Sequence, residues 1–211
     1  SGADDHPMVG DDVVRFTSPP SLETRIGVPH AGELIGMGLR TGITLVTGGG
    51  FHGKSTLLKA VERGIYNHIP GDGREHVVAV PDAVKVRSEE GRSICSVDLR
   101  PLIGDLPSGG DPATFSTQDA SGSTSQAASI VENLEAGATT VLIDEDTSAS
   151  NLLVRDSRMA RLVPDENEPI KPLLHFVRSL SDIGISFLMA VGGSGAYLGR
   201  VDCVLRLTGY V

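Results

Sequence analysis

Gly48-Gly49-Gly50-Phe51-His52-Gly53-Lys54-Ser55 fills every fixed position of the pattern G-x-x-x-x-G-K-[ST]. Residues 43–47 before it, Ile-Thr-Leu-Val-Thr, suit a strand covered on both faces of a parallel sheet. After it, Leu57, Leu58 and Val61 fall on one side of a helix predicted over Lys54–Arg63. Strand, glycine loop and helix in that order have a physical purpose. Glycine lets the backbone curl until successive N–H groups converge on phosphate oxygens, and the helix adds its positive end. In such a loop Lys54 reaches the outer phosphates of a nucleotide and the Ser55 hydroxyl ligates Mg²⁺. Gly48, Gly49, Gly50, Phe51, His52, Gly53, Lys54, Ser55 and Thr56 are therefore the candidate phosphate contacts. A plain glycine turn is the competing reading, and the flanking strand and helix weigh against it.

Downstream, Thr140–Asp144 is an apolar strand whose end delivers Asp144 and Glu145. Two carboxylates at the end of a buried strand suit a metal and a water: Asp144 as the Mg²⁺ ligand, Glu145 as the group that takes a proton from water or orients it. Strands often end in acids, so this reading leans on the loop upstream. Residues 76–80, 185–191 and Cys203–Leu207 read as further buried strands. Residues 13–16 and 23–26 read as short strands parted by Ser18-Pro19-Pro20-Ser21. Alternation over 83–87 and 93–97, about Glu89-Glu90-Gly91, predicts a hairpin. Residues 104–124, rich in Gly, Ser, Thr, Pro and Asp, read as a long loop. A helix is predicted over 126–136, and a second from Pro169 carrying Leu173, Phe176, Val177, Leu180 and Ile183, closed by Gly184. Strands alternating with helices, with glycine-rich loops at strand ends, indicate an α/β domain with a largely parallel sheet.

Composition sets limits on function. The 211 residues suit one compact domain, and 39% apolar with 21% charged residues exclude overall disorder. A net charge of −9 repels phosphate backbones, so any anion site must be local. Five Phe and three Tyr without any Trp count against a base-stacking surface. No apolar run approaches the roughly 20 residues of a membrane-spanning helix, so no membrane partner is expected. Cys95 and Cys203, each within an apolar run, read as reduced core thiols of an intracellular, soluble protein. None of the six His stands at ligand spacing from a metal-binding partner. The opening Ser1-Gly2-Ala3 and the stop after Tyr210-Val211 read as a loose segment 1–12 and a core 13–211 excised from a longer protein.

The residues around these motifs narrow the class. Asp144-Glu145-Asp146-Thr147-Ser148-Ala149-Ser150-Asn151 closely resembles the D-E-P-T-S-A-L-D string of ATP-binding-cassette (ABC) ATPases, departing at Asp146, Ser150 and Asn151. Ala120-Ser121-Gly122-Ser123-Thr124-Ser125-Gln126 resembles a loosened form of the ABC signature L-S-G-G-Q, and Ser121 precedes Asp144 by 23 residues, much as in an ABC domain. A flexible Ser/Gly linker ahead of a helix is the competing reading of that stretch. Together with residues 48–58 and Gly192-Gly193-Ser194-Gly195, these strings resemble the family called predicted ATPase of the ABC class, soluble proteins of bacteria, archaea and some protists. The likeness runs from about Pro20 to Tyr210.

The resemblance implies a P-loop NTPase fold of ABC-ATPase type, a mostly parallel sheet flanked by helices with a short antiparallel β region. Only 67 residues separate Lys54 from Ser121, which implies a reduced helical lobe. It also implies Mg·ATP and ADP as ligands and a homodimer that sandwiches nucleotide head to tail. Ser121, Gly122, Ser123 and Gln126 of one chain would close over nucleotide on the other, with Ser148 and Ala149 near the attacking water. Where an ABC protein presents a switch His, this sequence has the 192–195 glycine loop, so Gly193 is the candidate phosphate contact there and slow hydrolysis is expected. No residue is assigned as the Q-loop glutamine: Gln118 lies too near the signature, and Glu89 in the expected hairpin is a guess. Phe16 is an adenine platform or a core residue. Kinetoplastid members are associated with mitochondrial RNA editing, with RNA bound largely outside this core. The compartment is therefore cytoplasmic, or mitochondrial for such a member.

Two further readings stay open. In one, the chain is an RNA-binding module for which ATP is a structural or regulatory ligand with negligible hydrolysis. In the other it is a nucleotide kinase, against which residues 121–126 and 148–149 argue. Arg155, Arg158 and Arg161 recur at three-residue spacing on a predicted helix, as a solvated face or an RNA contact.

Overall fold

The computed structural model describes residues 10–11, 13–30, 32–106, 109–164 and 167–210. The segment 1–12 thus lies outside the described residues except for Gly10 and Asp11, as does Val211. Among the described residues the strands are β1 (Glu23–Val28), β2 (Gly32–Met37), β3 (Ile43–Gly48), β4 (Ala83–Val86), β5 (Arg92–Val97), β6 (Phe115–Ala120), β7 (Thr140–Asp144), β8 (Ser186–Ala190) and β9 (Cys203–Leu207). The helices are α1 (Lys54–Arg63), α2 (Gly122–Glu135), α3 (Ser150–Leu153), α4 (Ser157–Leu162) and α5 (Val177–Asp182).

Five strands in the order β4-β7-β8-β3-β9 form one sheet, parallel throughout. Successive side chains on a strand point to opposite faces, and here that alternation divides them between two cores. Ile43, Leu45, Val141, Ile143, Phe187 and Met189 pack on one face with Ala127, Ala128 and Ile130 of α2. Val46, Leu142, Leu188 and Ala190 pack on the other with Leu58 of α1. Cover on both faces explains why the central strands read as near-continuous apolar runs. Two small antiparallel pairs, β1–β2 and β5–β6, stand beside this sheet.

Several expectations give way. Residues 13–16 form no strand, and Phe16 is 61% exposed, so it is not a core residue. Residues 77–80 are also irregular, with Val78 85% exposed. Short apolar runs make strands only where a neighbouring strand accepts them, and the sheet edge near this run is taken by β4. β4 and β5 do not form a hairpin, because β4 joins the main sheet beside β7 while β5 pairs with β6. The expected loop over 104–124 contains β6 and the first turn of α2; a strand exposed on one side tolerates polar residues. In place of one helix from Pro169 there is an Ile103–Ile170 bridge, a 3₁₀ turn over Leu173–His175, then α5. Pro172 cannot extend a helix from the residues before it. Cys95 is exposed on the open side of β5, while Cys203 is half-buried at the start of β9, against the core that holds Leu58; both thiols are free. Arg155 precedes α4 rather than sharing its face with Arg158 and Arg161, and its guanidinium donates to the Val163 carbonyl.

Candidate functional site

The order of strands decides what meets at the carboxyl edge of the sheet. β8 lies between β3 and β7, so the loop after β8 falls between the glycine loop and the two acids. Ligands bind at this edge of open α/β sheets because loops and helix N-termini gather there.

The loop after β3 is shaped by glycine where nothing else fits. Gly48 has φ +145°, and a Cβ there would lie 2.3 Å from the Leu207 carbonyl oxygen. Gly53 has φ +94° and caps α1. Phe51 also takes a positive φ, 61°, and its side chain is 96% exposed. The curl turns the aromatic ring outward. Lys54 Nζ donates to the carbonyls of Gly48 and Gly49, both at 2.9 Å, so the lysine is folded across its own loop. His52 Nδ1 lies 3.2 Å from the Leu207 carbonyl, which can only accept, so the imidazole braces the loop against β9. Ser55 is half-buried and Thr56 exposed.

Asp144 ends β7, 5% exposed, with Oδ1 accepting from the Asp146 N–H at 3.3 Å. Glu145 opens a 3₁₀ turn over Glu145–Thr147. Its Oε2 accepts from two backbone donors, Gly192 N–H at 2.6 Å and Gly193 N–H at 2.8 Å. The structure therefore brings the 48–54 loop, the two acids and the 192–193 loop together. It adds Tyr197, of which the motifs gave no sign: fully buried, its hydroxyl donates to the Leu153 carbonyl at 2.7 Å. Burial, and then the negative charge of Glu145, push the Tyr197 phenol above its ordinary pKa.

The 121–126 stretch stands apart from this convergence, because α1 and α2 flank opposite faces of the sheet. Ser121 caps α2, its Oγ accepting from the Thr124 N–H at 3.4 Å, and a Cβ on Gly122 would lie 2.3 Å from Ser88 Oγ. Ser123 lies beside Ser121, their hydroxyls 3.4 Å apart. Gln126 departs from the expected nucleotide contact. It is completely buried; Nε2 donates to Ser148 Oγ at 2.9 Å, and Oε1 accepts from the Ala149 N–H at 2.8 Å. Ser148 Oγ in turn donates to the Asp144 carbonyl at 2.7 Å. Both ends of the Gln126 amide are spent on the segment behind the acids, which takes it out of reach of a ligand. Glu89 points to Arg87, while its backbone N–H donates to Ser125 Oγ.

These residues fit a nucleoside triphosphate with Mg²⁺. A glycine loop packed too closely on β9 to admit a Cβ at Gly48 precedes a helix N-terminus and a lysine, and an acid sits at the end of a buried strand. Among the described residues no cluster of three or more His, Cys, Asp or Glu could cage a metal. Mg²⁺ commonly depends on phosphate oxygens and water beside one or two protein oxygens, and Ser55 and Asp144 are the residues that would supply those.

A family model describing the ABC_ATPase P-loop domain matches residues 1–211. The chain belongs to the ABC_ATPase family. This ABC ATPase domain is 29% identical over 199 residues to an uncharacterized protein of Methanocaldococcus jannaschii, covering 88% of the chain and 43% of that protein. It thus spans less than half the length of that relative. Among solved structures it is similar in fold to an ATP-binding cassette of an ABC transporter in its ADP conformation, with TM-score 0.50 and 14% identity over 85% of this chain and 81% of that one. The P-loop fold, with its five-stranded parallel sheet, flanking helices and small antiparallel sheets, is that of an ABC-type ATPase, a nucleotide-binding domain. No described helix is long and apolar enough to cross a membrane.

Proposed function

We propose that this domain binds Mg·ATP and hydrolyses it at the interface of a head-to-tail homodimer, using closure and opening to drive a change in a larger protein. The observation that carries the reading is the convergence of Lys54, Glu145 and the Gly192 and Gly193 amides at one sheet edge. Amides of residues 48–54 hold the phosphates, and Lys54 leaves the Gly48 and Gly49 carbonyls for phosphate oxygens. Ser55 and Asp144 hold Mg²⁺, which when bound neutralises charge on the outer phosphates. Glu145 takes the proton of the attacking water. Ser121, Gly122 and Ser123 of a second copy complete the pocket, since each chain carries them on the opposite flank from its own glycine loop. Gln126 and Ser148 hold the segment behind Asp144 in place.

The test is the oligomeric state of Glu145→Gln with and without Mg·ATP, measured by light scattering, beside its turnover. Turnover is expected to fall about 10²–10⁴-fold, the usual worth of a general base, while ATP brings two copies together. Unchanged turnover, or a monomer at saturating Mg·ATP, would count against the reading. A second reading, in which ATP is a regulatory ligand of an RNA-associated protein, draws support from the hold on Glu145 by two amides, which keeps the carboxylate occupied. RNA affinity that falls steeply with salt in a chain that does not turn ATP over would favour it.

A further inference from the structure

Two successive amides aimed at one oxygen make an anion nest of the kind that binds phosphate. In this chain the anion in the nest formed by Gly192 and Gly193 is its own Glu145 carboxylate. The nest borders the phosphate loop. A Cβ on Gly192 would stand 3.1 Å from Lys54 Nζ and 3.3 Å from the Gly48 carbonyl oxygen. One on Gly193 would stand 2.8 Å from Glu145 Oε1. Gly192 thus separates an ammonium from a carboxylate with no side chain of its own between them.

We propose that the Gly192 and Gly193 amides tell a triphosphate from a diphosphate by holding Glu145 until a terminal phosphate takes their N–H groups, which frees the carboxylate to face water. The inference rests on the nucleotide-site reading above and adds a positioning role to it. A carboxylate and a phosphate cannot both take the same two N–H bonds, and two anions that close repel each other. Lys54 makes the complementary exchange, since it now spends its donors on the Gly48 and Gly49 carbonyls beside the nest. A cavity of about 240 Å³, which Glu145 lines with Val191, Ser194 and Tyr197, gives the released carboxylate room to turn. A diphosphate ends one phosphate short and leaves the carboxylate held.

Backbone amide NMR tests this on the wild-type chain and Glu145→Ala, each alone, with Mg·ADP, and with Mg²⁺ and a non-hydrolysable ATP analogue. The amides of Gly49, Gly50 and Phe51 report whether nucleotide enters; those of Gly192 and Gly193 report which anion holds the nest. Without nucleotide and with Mg·ADP, the substitution should move both the Gly192 and Gly193 amide protons upfield. With the triphosphate analogue the two proteins should give coincident resonances there. Coincidence already without nucleotide overturns the proposal. So does a difference that survives the analogue while the 49–51 amides have shifted, and that outcome leaves the nucleotide-site reading standing. Amides at 49–51 that respond to neither nucleotide overturn both. Should Glu145→Ala not fold, Glu145→Gln serves, its neutral oxygen being the weaker acceptor, with a smaller shift of the same sign.

Discussion

Gly48 sits at φ +145° with the Leu207 carbonyl oxygen where its Cβ would be, so the loop conformation and the packing of β3 on β9 demand the same residue. Gly48→Ala must strain the backbone or push β9 away, and a loss of about 1–3 kcal/mol is expected. For a domain of this size that lowers the melting temperature by roughly 2–4 °C per kcal/mol, readable by calorimetry. An unchanged melting temperature would mean that β9 yields freely. Asp202 offers a test in pH. Its Oδ2 accepts from the Ile43 N–H at 2.8 Å and its Oδ1 from Arg178 at 2.9 Å, and those bonds, the backbone one first, hold its pKa below the ordinary value of 3.8. A carboxylate with a depressed folded-state pKa contributes stability above its unfolded pKa and loses it as pH falls through the folded one. Asp202→Asn should therefore cost most at neutral pH, about 1 kcal/mol after solvent screening, and the two melting curves should converge in acid. A gap that is constant across pH would assign the loss to packing alone. At this scale the sequence was readable where one residue type answers a local demand, as at Gly48, Gly53 and Lys54. Gln126 was misread because its letter fits the signature while its burial depends on the segment after β7, far away in the chain.

Among the elements, α1 runs over the residues its pattern predicts, Lys54–Arg63, since a glycine turn starts it and Gly64 follows its last residue. Leu58 is its anchor, fully buried against Val46, Leu142 and Leu188. Leu58→Ala should cost about 2–5 kcal/mol and loosen the helix that presents Lys54 and Ser55, so nucleotide affinity should fall together with stability. Denaturant titration and calorimetry on one sample check both; lost stability with intact affinity would separate the helix from the site. The central strands were legible for the same reason, cover on two faces, which leaves a long apolar run. β6 and the first turn of α2 were not, because Phe-Ser-Thr-Gln-Asp-Ala and Gly-Ser-Thr-Ser carry no apolar period. Their order comes from pairing with β5 and from the Ser121 cap, neither of which a local pattern records. The run at 76–80 failed in the opposite way: apolar letters without a strand to receive them.

For the whole molecule, α1 and α2 flank opposite faces of one sheet, so the proposed pocket would be completed by a second copy. Ser123→Glu tests this. An acid in the first turn of α2 suits the helix dipole, so the fold should survive, while a negative charge facing the partner's triphosphate should abolish association driven by Mg·ATP in a Glu145→Gln background. Analytical ultracentrifugation reads the outcome; a dimer that persists would place the interface elsewhere. The net charge of −9 adds that any association should weaken as salt is withdrawn. Strand order also acts as a ruler. With β8 interposed, β3 and β7 are two inter-strand steps apart, roughly 10 Å, and the loop after β8 reaches both Lys54 and Glu145 between them. That span is set by the lattice of main-chain bonds, so it should survive many changes of core side chain. It should not survive a slip of β8 by one residue, which would carry Gly192 about 3.3 Å along the strand and turn its amide to the wrong side.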